Sequence, residues 1–209
     1  MFNKILWGSI ALIAIVAGVY IFIAAPKDYG KIDQGRVIAY DKEKKTVTIV
    51  RDKNEDPKKP DYSTLPPHTY ALPVETGGEP RMGPEPKAGK RMKLDAKKSE
   101  LIMFDDATQN FKVVKYTLID QKENVDRKSP LLKDAEGKPK KFPAVDKEKK
   151  VITIYSGRQK LLTTLTVPDA DFNTDPAYWD AGDEVRIYYR EEGKAIKFMN
   201  ISKTDIYKK

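Results

Sequence analysis

The amino-acid sequence predicts a mainly β protein in which a single transmembrane helix at the N-terminus is followed by two duplicated small β-barrel-like, OB-like units. Three observations support this fold class. A long uncharged stretch stands near the N-terminus, an eleven-residue pattern occurs twice in the rest of the chain, and β-branched residues alternate with polar ones in short blocks. Proline and glycine separate these blocks, which is typical of short strands joined by turns.

The first element is the uncharged stretch, which we predict to be a transmembrane helix from Ile5 to Ala25. No charged residue lies between Lys4 and Lys27, and at about 1.5 Å per residue the helix would span about 30 Å, the thickness of the hydrocarbon core. Pro26 follows directly and the residues before it lack a small-x-small cleavage site, so we expect the helix to be retained. Lys4 favours a cytoplasmic N-terminus. The chain would then lie in a bacterial inner membrane, with its C-terminal region periplasmic or extracellular.

Two small residues, Ala14 and Gly18, lie four positions apart within this segment and would share one helical face. Small residues at this spacing let two membrane helices approach closely. We therefore predict that Ala14 and Gly18 pack against a helix of another membrane-protein subunit. The alternative is a passive anchor in the lipid bilayer.

The next elements come from an internal duplication. The turn-like motif Asp-Lys-Glu-Lys-Lys occurs at Asp41–Lys45 and again at Asp146–Lys150, each time followed by alternating β-branched residues. Further along each copy, Ala88-Gly89 is matched by Ala181-Gly182 in the same relative order. Two matches in the same order indicate a repeated structural unit. We predict that the charged motif is a hairpin turn between two strands.

Each copy continues with a third strand and a second hairpin. The third strands are predicted at His68–Leu72 and Leu161–Val167, each ending before a proline. The second hairpins are predicted at Met92–Phe104 and Val185–Ile201, and the first copy gains a further strand at Phe111–Leu118. Five or six short strands with charged turns suggest a small barrel in each copy, and one β-sandwich built from both copies is the alternative.

Domain boundaries follow from these matches. The predicted parts are the transmembrane anchor with its flanks at 1–26, a first β unit at 27–120, a charged linker at 121–141 and a second β unit at 142–209. Eight of the 14 prolines lie between Pro57 and Pro86, which places a Pro-rich insertion at 52–87 of the first unit.

Composition limits the function classes. The chain has 209 residues, a net charge of +8 and no cysteine, which excludes disulfides, thiolate catalysis, thiolate metal sites and acylation of cysteine. The basic residues are spread over many turns rather than gathered with aromatic residues, so we expect no nucleic-acid partner. Anionic lipid headgroups or an acidic protein face are the favoured neighbours, and a merely solvated surface is the alternative.

Residues able to perform catalysis are scarce. His68 is the only histidine, and it stands in a predicted strand. The paired carboxylates Asp105-Asp106 begin a predicted turn, and the chain has neither a nucleophile elbow nor a phosphate-binding glycine-rich loop. We therefore predict that the protein is not an enzyme.

One stretch has the spacing of metal ligands. Side-chain oxygens recur at positions one, three, five, seven and twelve of a loop, as in calcium-binding loops; these residues are Asp169, Asp171, Asn173, Asp175 and Asp180. Thr174 occupies the position where such loops need glycine, and Asp180 replaces the bidentate glutamate. The alternative is an acidic surface loop whose aromatic residues cap the barrel or form a docking patch; these are Phe172, Tyr178 and Trp179.

Three segments, Gly30–Val37, Tyr155–Lys160 and Asn200–Asp205, resemble an uncharacterised bacterial family of envelope-anchored domains. The resemblance covers essentially the whole soluble part and implies an anchored, extracytoplasmic protein without assigning catalytic residues. Such relatives look like lipoproteins, whereas this chain lacks the acylated cysteine and has a predicted transmembrane helix instead.

These observations favour a non-catalytic, membrane-anchored accessory or scaffold subunit of an extracytoplasmic membrane-protein complex. The alternative is an anchored ligand-binding module that recognises an anionic glycan, a lipid or Ca²⁺. No cofactor is expected apart from that possible calcium ion.

Overall fold

The protein is mainly β, as predicted. The computed structural model describes residues 30–54, 60–74 and 82–204, in which helix is confined to three short 3₁₀ turns. The twelve strands of this described part are β1 (Lys31–Asp41), β2 (Thr46–Arg51), β3 (His68–Ala71), β4 (Arg91–Asp95), β5 (Glu100–Asp105), β6 (Asn110–Lys115), β7 (Thr117–Lys122), β8 (Ala144–Asp146), β9 (Val151–Ser156), β10 (Leu161–Thr166), β11 (Glu184–Glu191) and β12 (Lys194–Asn200).

The predicted membrane segment lies outside these residues. Ile5–Ala25, with Ala14 and Gly18, belongs to the part of the chain that is not described. Within the described ranges, no helix has the length and apolar character needed to cross a membrane.

Five strands form a closed barrel in the order β1-β2-β3-β12-β11, with β11 pairing back to β1. Neighbouring strands are antiparallel except β3 and β12, which are parallel. Alternate residues of β2 point inward, so that Val47 and Ile49 are fully buried while Thr46 and Thr48 are partly exposed. The barrel core also includes Val37, Tyr70, Val185, Ile187 and Phe198.

The other seven strands form two sheets that share a second core. One sheet has the order β4-β5-β6 and the other the order β7-β10-β9-β8. Only Tyr116 separates β6 from β7, so the chain passes directly from one sheet into the other. The shared core contains Leu94, Leu101 and Met103 from the first sheet, Ile152, Ile154 and Leu165 from the second, and Trp179.

The barrel combines strands from both predicted units. β1, β2 and β3 belong to the predicted unit 27–120, whereas β11 and β12 belong to the unit 142–209. Conversely, the β4–β5 hairpin of the first unit packs in the second core against β9 and β10. The predicted division at 121–141 therefore differs from the folded arrangement, because the two copies exchange their second hairpins. A sequence repeat shows the order of strands along the chain and not which strands pair.

The repeated charged motif forms a hairpin turn in both copies, as predicted. Its final lysines, Lys45 and Lys150, adopt left-handed φ angles of 50° and 53°. The Asp41 carboxylate accepts a hydrogen bond from the backbone amide of Lys44 at 2.9 Å, and Asp146 accepts two such bonds within its own turn. Three other hairpin turns also end in a residue with a left-handed φ angle; these residues are Ser99, Gln109 and Lys160.

Candidate functional site

A groove of about 980 Å³ lies where the barrel meets the two sheets that share the second core. Strand β1 contributes Arg36, and the start of β4 contributes Arg91 and the residues after it. The β9–β10 turn, including Arg158, and Arg127 from the linker also line the groove. The groove is therefore built from both copies of the repeat.

Arg36 stands in β1 just before a register shift between Val37 and Ala39. Its guanidinium carbon lies 4.1 Å from the centre of the Tyr62 ring, and Nη1 donates to the carbonyl oxygen of Met92. Burial lowers the pKa of Arg36 and raises the pKa of Tyr62. The Arg36 Nε and the Tyr62 hydroxyl are both buried, and neither has a hydrogen-bond partner among the described residues.

Arg91 is the first residue of β4 and is only 7% exposed. Its Nε donates to the carbonyl oxygen of Trp179 at 2.9 Å. Burial first, and then repulsion by Arg36, lower the pKa of Arg91 to about 10, while Asp180 acts in the opposite direction. Arg36 Nη1 lies 3.4 Å from the Arg91 carbonyl oxygen, so a buried arginine and a half-buried one are neighbours.

Carboxylates near these arginines are engaged elsewhere. Asp180 pairs with Lys87 at 2.7 Å, and Glu184 pairs with Arg158 at 3.4 Å. Neither Arg36 nor Arg91 has an ion pair with a described residue. Among the described lining residues, six basic side chains face three acidic ones, which leaves an excess of three positive charges. An unpaired buried charge is unfavourable, so the groove is electrostatically suited to an anion.

A glycine pair sets the position of these charged residues. Gly182 has a φ of 66°, and a Cβ atom there would lie 2.2 Å from the carbonyl oxygen of Val37. The Gly89 amide donates to the same oxygen at 3.1 Å, and a Cβ atom on Gly89 would lie 2.4 Å from the Gly182 nitrogen. The two repeated Ala-Gly elements are therefore in contact. Each is followed two residues later by a charged groove residue, Arg91 or Glu184.

The predicted calcium ligands do not converge. Asp169 pairs with Lys150 at 2.8 Å and Asp171 with Lys112 at 3.2 Å. The side chains of Asn173 and Asp175 accept bonds from nearby backbone amides, and Asp180 faces the groove. In the described part of the chain, no group of three or more acidic or histidine side chains could hold a metal ion. The correct spacing is present, but each oxygen is directed to a different partner.

The aromatic residues of the same loop cover the second core. Trp179 is fully buried there, and its Nε1 donates to the Asn173 carbonyl oxygen at 2.8 Å. Phe172 and Tyr178 pack against the core from its edge. The capping role expected of these aromatics therefore applies to the core shared by the two sheets rather than to the closed barrel.

The other residues considered for catalysis lie away from the groove. His68 is on the barrel, with Nδ1 3.8 Å from Glu192 Oε1. Asp105 accepts bonds from Ala107 and Thr108 within the predicted turn, and Asp106 pairs with Lys90 at 2.6 Å. These contacts agree with the structural roles expected from the sequence.

Sequence reasoning missed Arg36, Tyr62 and Arg91. Arg36 and Arg91 have hydrogen-bond partners that are 55 or more residues away along the chain, and Tyr62 lies 26 residues from Arg36, so no local motif connects them. One weak signal was present: arginine, which is scarcer than lysine in this chain, directly precedes an apolar strand residue at Arg36-Val37 and Arg91-Met92.

The fold and the groove define a two-part β protein with a cationic cleft at the junction of its sheets. Comparison with protein families matches residues 28–209 to the family described as a domain of unknown function, DUF4881, and the chain belongs to this family. The expected resemblance to an uncharacterised family is confirmed in that respect, whereas bacterial origin and envelope anchoring stay predictions. No curated protein and no solved structure matches the chain.

Proposed function

We propose that the protein is a membrane-anchored, non-catalytic binding module outside the cytoplasm, and that its groove holds an anionic ligand. One observation carries the proposal: the buried Arg91 and the half-buried Arg36 are neighbours, and neither has a carboxylate partner among the described residues. A bound anion would supply the missing countercharge and accept hydrogen bonds from the guanidinium groups.

The strand order of the barrel supports the OB-like fold. In OB-fold barrels five strands close in the order 1-2-3-5-4, with the third and fifth parallel, and β1, β2, β3, β11 and β12 take these positions. Such barrels bind oligosaccharides and oligonucleotides through one face and its loops. In this chain residues 72–183 stand between β3 and β11, and the groove lies where this insertion meets β1.

A thermal-shift experiment tests the anion site. The full-length chain in a neutral detergent is melted with and without inorganic pyrophosphate at constant ionic strength. At about ten times Kd we expect Tm to rise by about 3–6 °C, and Arg36→Gln to abolish the rise. Arg186→Gln is the matched control, because Arg186 is bonded to Gln34 and does not line the groove. Equal shifts in all three proteins would contradict the proposal.

The accessory-subunit function is a second candidate, favoured by exposed apolar residues on β7. Leu118 and Ile119 are 46% and 53% exposed, and consecutive strand residues point to opposite faces. β7 is also an edge strand of its sheet, where another protein could pair. If so, a membrane protein should co-purify with the wild type in mild detergent and be lost with Ile119→Lys. A monomer that co-purifies with nothing argues against this function.

A further inference from the structure

An apolar row lies beside the groove arginines. Ile102 of β5 and Val113 of β6 are aligned by the strand register, and Phe111 lies two residues before Val113 on the same face. All three line the groove, and Lys93 of β4 lies beside Ile102 at the end of this row. Val113 is 57% exposed, whereas Ile102 and Phe111 are half-buried. The groove therefore has an apolar wall in addition to its basic residues.

This wall begins next to the buried cations. Arg91 precedes Lys93 by two residues in β4, across a shift in strand register, and both side chains line the groove. Arg36 donates to the carbonyl oxygens of Arg91 and Met92. A ligand with its negative group at Arg36 and Arg91 would lay the rest of its length over Ile102, Phe111 and Val113. The volume of about 980 Å³ is at the upper end of ordinary ligand pockets.

We propose that the ligand is an anionic amphiphile, with one phosphate or carboxylate head group on an apolar chain. This inference rests on the proposed anion site and names its ligand class. A hydrophilic polyanion would pair with the arginines but would leave the apolar row against polar groups. A neutral lipid would cover the row but would leave the guanidinium groups of the buried Arg91 and the half-buried Arg36 without a countercharge. Only a molecule with both parts satisfies both sides of the groove.

Equilibrium dialysis of the full-length chain in neutral maltoside micelles tests the ligand class, with protein-free micelles as the blank. The probes are octyl phosphate, butyl phosphate, octanoate and octyltrimethylammonium. Each methylene that becomes buried should tighten binding about fourfold, so we expect octyl phosphate to bind at least about tenfold more tightly than butyl phosphate. The cationic probe should not bind. The relative affinities of octanoate and octyl phosphate show whether the site prefers a carboxylate or a phosphate head group.

Substitutions separate the two parts of the site. Arg36→Gln should weaken both alkyl phosphates by about tenfold or more, because it removes a charged hydrogen-bond donor. If Arg36→Gln fails to fold, the exposed Arg127 is substituted instead, and Arg127→Gln should weaken binding. Lys128→Gln is its control, because Lys128 is on the same loop but does not line the groove. This control should leave binding unchanged. Val113→Ser should weaken the binding of octyl phosphate but not that of butyl phosphate. Leu131→Ser, at an apolar residue that is 47% exposed outside the groove, should change neither.

Two results would overturn the inference while keeping the anion site: equal affinity for octyl and butyl phosphate with Arg36 dependence retained, or tighter binding of an oligonucleotide than of octyl phosphate. Binding of every probe without any dependence on Arg36 or Arg127 would overturn both the ligand class and the anion site.

Discussion

Gly182 and Gly137 both adopt left-handed backbone angles, but only Gly182 is crowded. Their φ angles are 66° and 78°. A Cβ atom on Gly182 would lie 2.2 Å from the Val37 carbonyl oxygen, whereas nothing lies within 4 Å of one on Gly137. Gly137→Ala should therefore lower the free energy of unfolding by about 1 kcal/mol through backbone strain alone.

Gly182→Ala adds a collision with backbone to the same strain, and we expect it to cost about 3 kcal/mol or more. Urea denaturation of the two full-length variants measures the difference. Because Gly182 also positions the Glu184 side of the groove, the variant should in addition lose anion binding. Equal losses of stability in the two variants would mean that the junction accommodates a side chain without strain.

For single residues, the sequence shows which ones repeat but not which residues surround them in the folded chain. The match between Ala88-Gly89 and Ala181-Gly182 was evident, yet their contact with Val37 was not, because contact depends on the folded chain. The calcium pattern has the same limit. Asp169 and Asp171 have suitable spacing, but each pairs with a lysine that is distant in the sequence, Lys150 of the β8–β9 turn and Lys112 of β6.

Among the elements, the hairpin turns follow most directly from local chemistry. Lys45 ends the β1–β2 turn with a φ of 50°, which costs about 1 kcal/mol or more for a residue with a Cβ atom. Lys45→Gly should remove this cost and raise the free energy of unfolding by up to about 1 kcal/mol. The neighbouring Lys44→Gly should lower it instead, because glycine gains flexibility in the unfolded chain without relieving strain. Thermal melts show whether each substitution raises or lowers stability relative to the wild type. A loss of stability in Lys45→Gly would contradict the turn geometry.

Strand positions were predictable for the same local reason, whereas strand breaks were not. The third strand of the first copy, predicted at 68–72, is observed at His68–Ala71, since alternating apolar residues and a proline limit it. The strand predicted at 111–118 is instead divided into β6 and β7. Tyr116, between them, is buried in the second core, and its amide donates to the Ser99 carbonyl oxygen at 3.0 Å. That bond depends on a residue from another hairpin, so the break has no signal in its own segment.

In the whole molecule, the exchange of hairpins connects the repeat to the groove. Arg36 and Arg91 both belong to the first copy. The carbonyl oxygens that accept hydrogen bonds from Arg91 belong to Trp179 and Asp180 of the second copy. The β9–β10 turn, which also lines the groove, belongs to the second copy as well. Binding in this groove therefore requires the two copies to fold together.

Cutting the chain after Gly137 tests this dependence, because Gly137 lies in an exposed turn with nothing close to it. Independent tandem units would fold separately as fragments 1–137 and 138–209. The exchanged arrangement predicts that neither fragment completes its sheets alone, since the barrel needs β11 and β12 and the second core needs β4 and β5.

Trp179 is the only tryptophan of the C-terminal fragment and is fully buried in the shared core, so its fluorescence reports assembly. With Trp7→Phe in the other fragment, Trp179 should emit as an exposed indole in fragment 138–209 alone and shift to shorter wavelength when equimolar fragment 1–137 is added. A buried emission from fragment 138–209 alone would contradict the exchange, because the side chains that enclose Trp179 on one side, Leu94, Leu101 and Met103, would be absent.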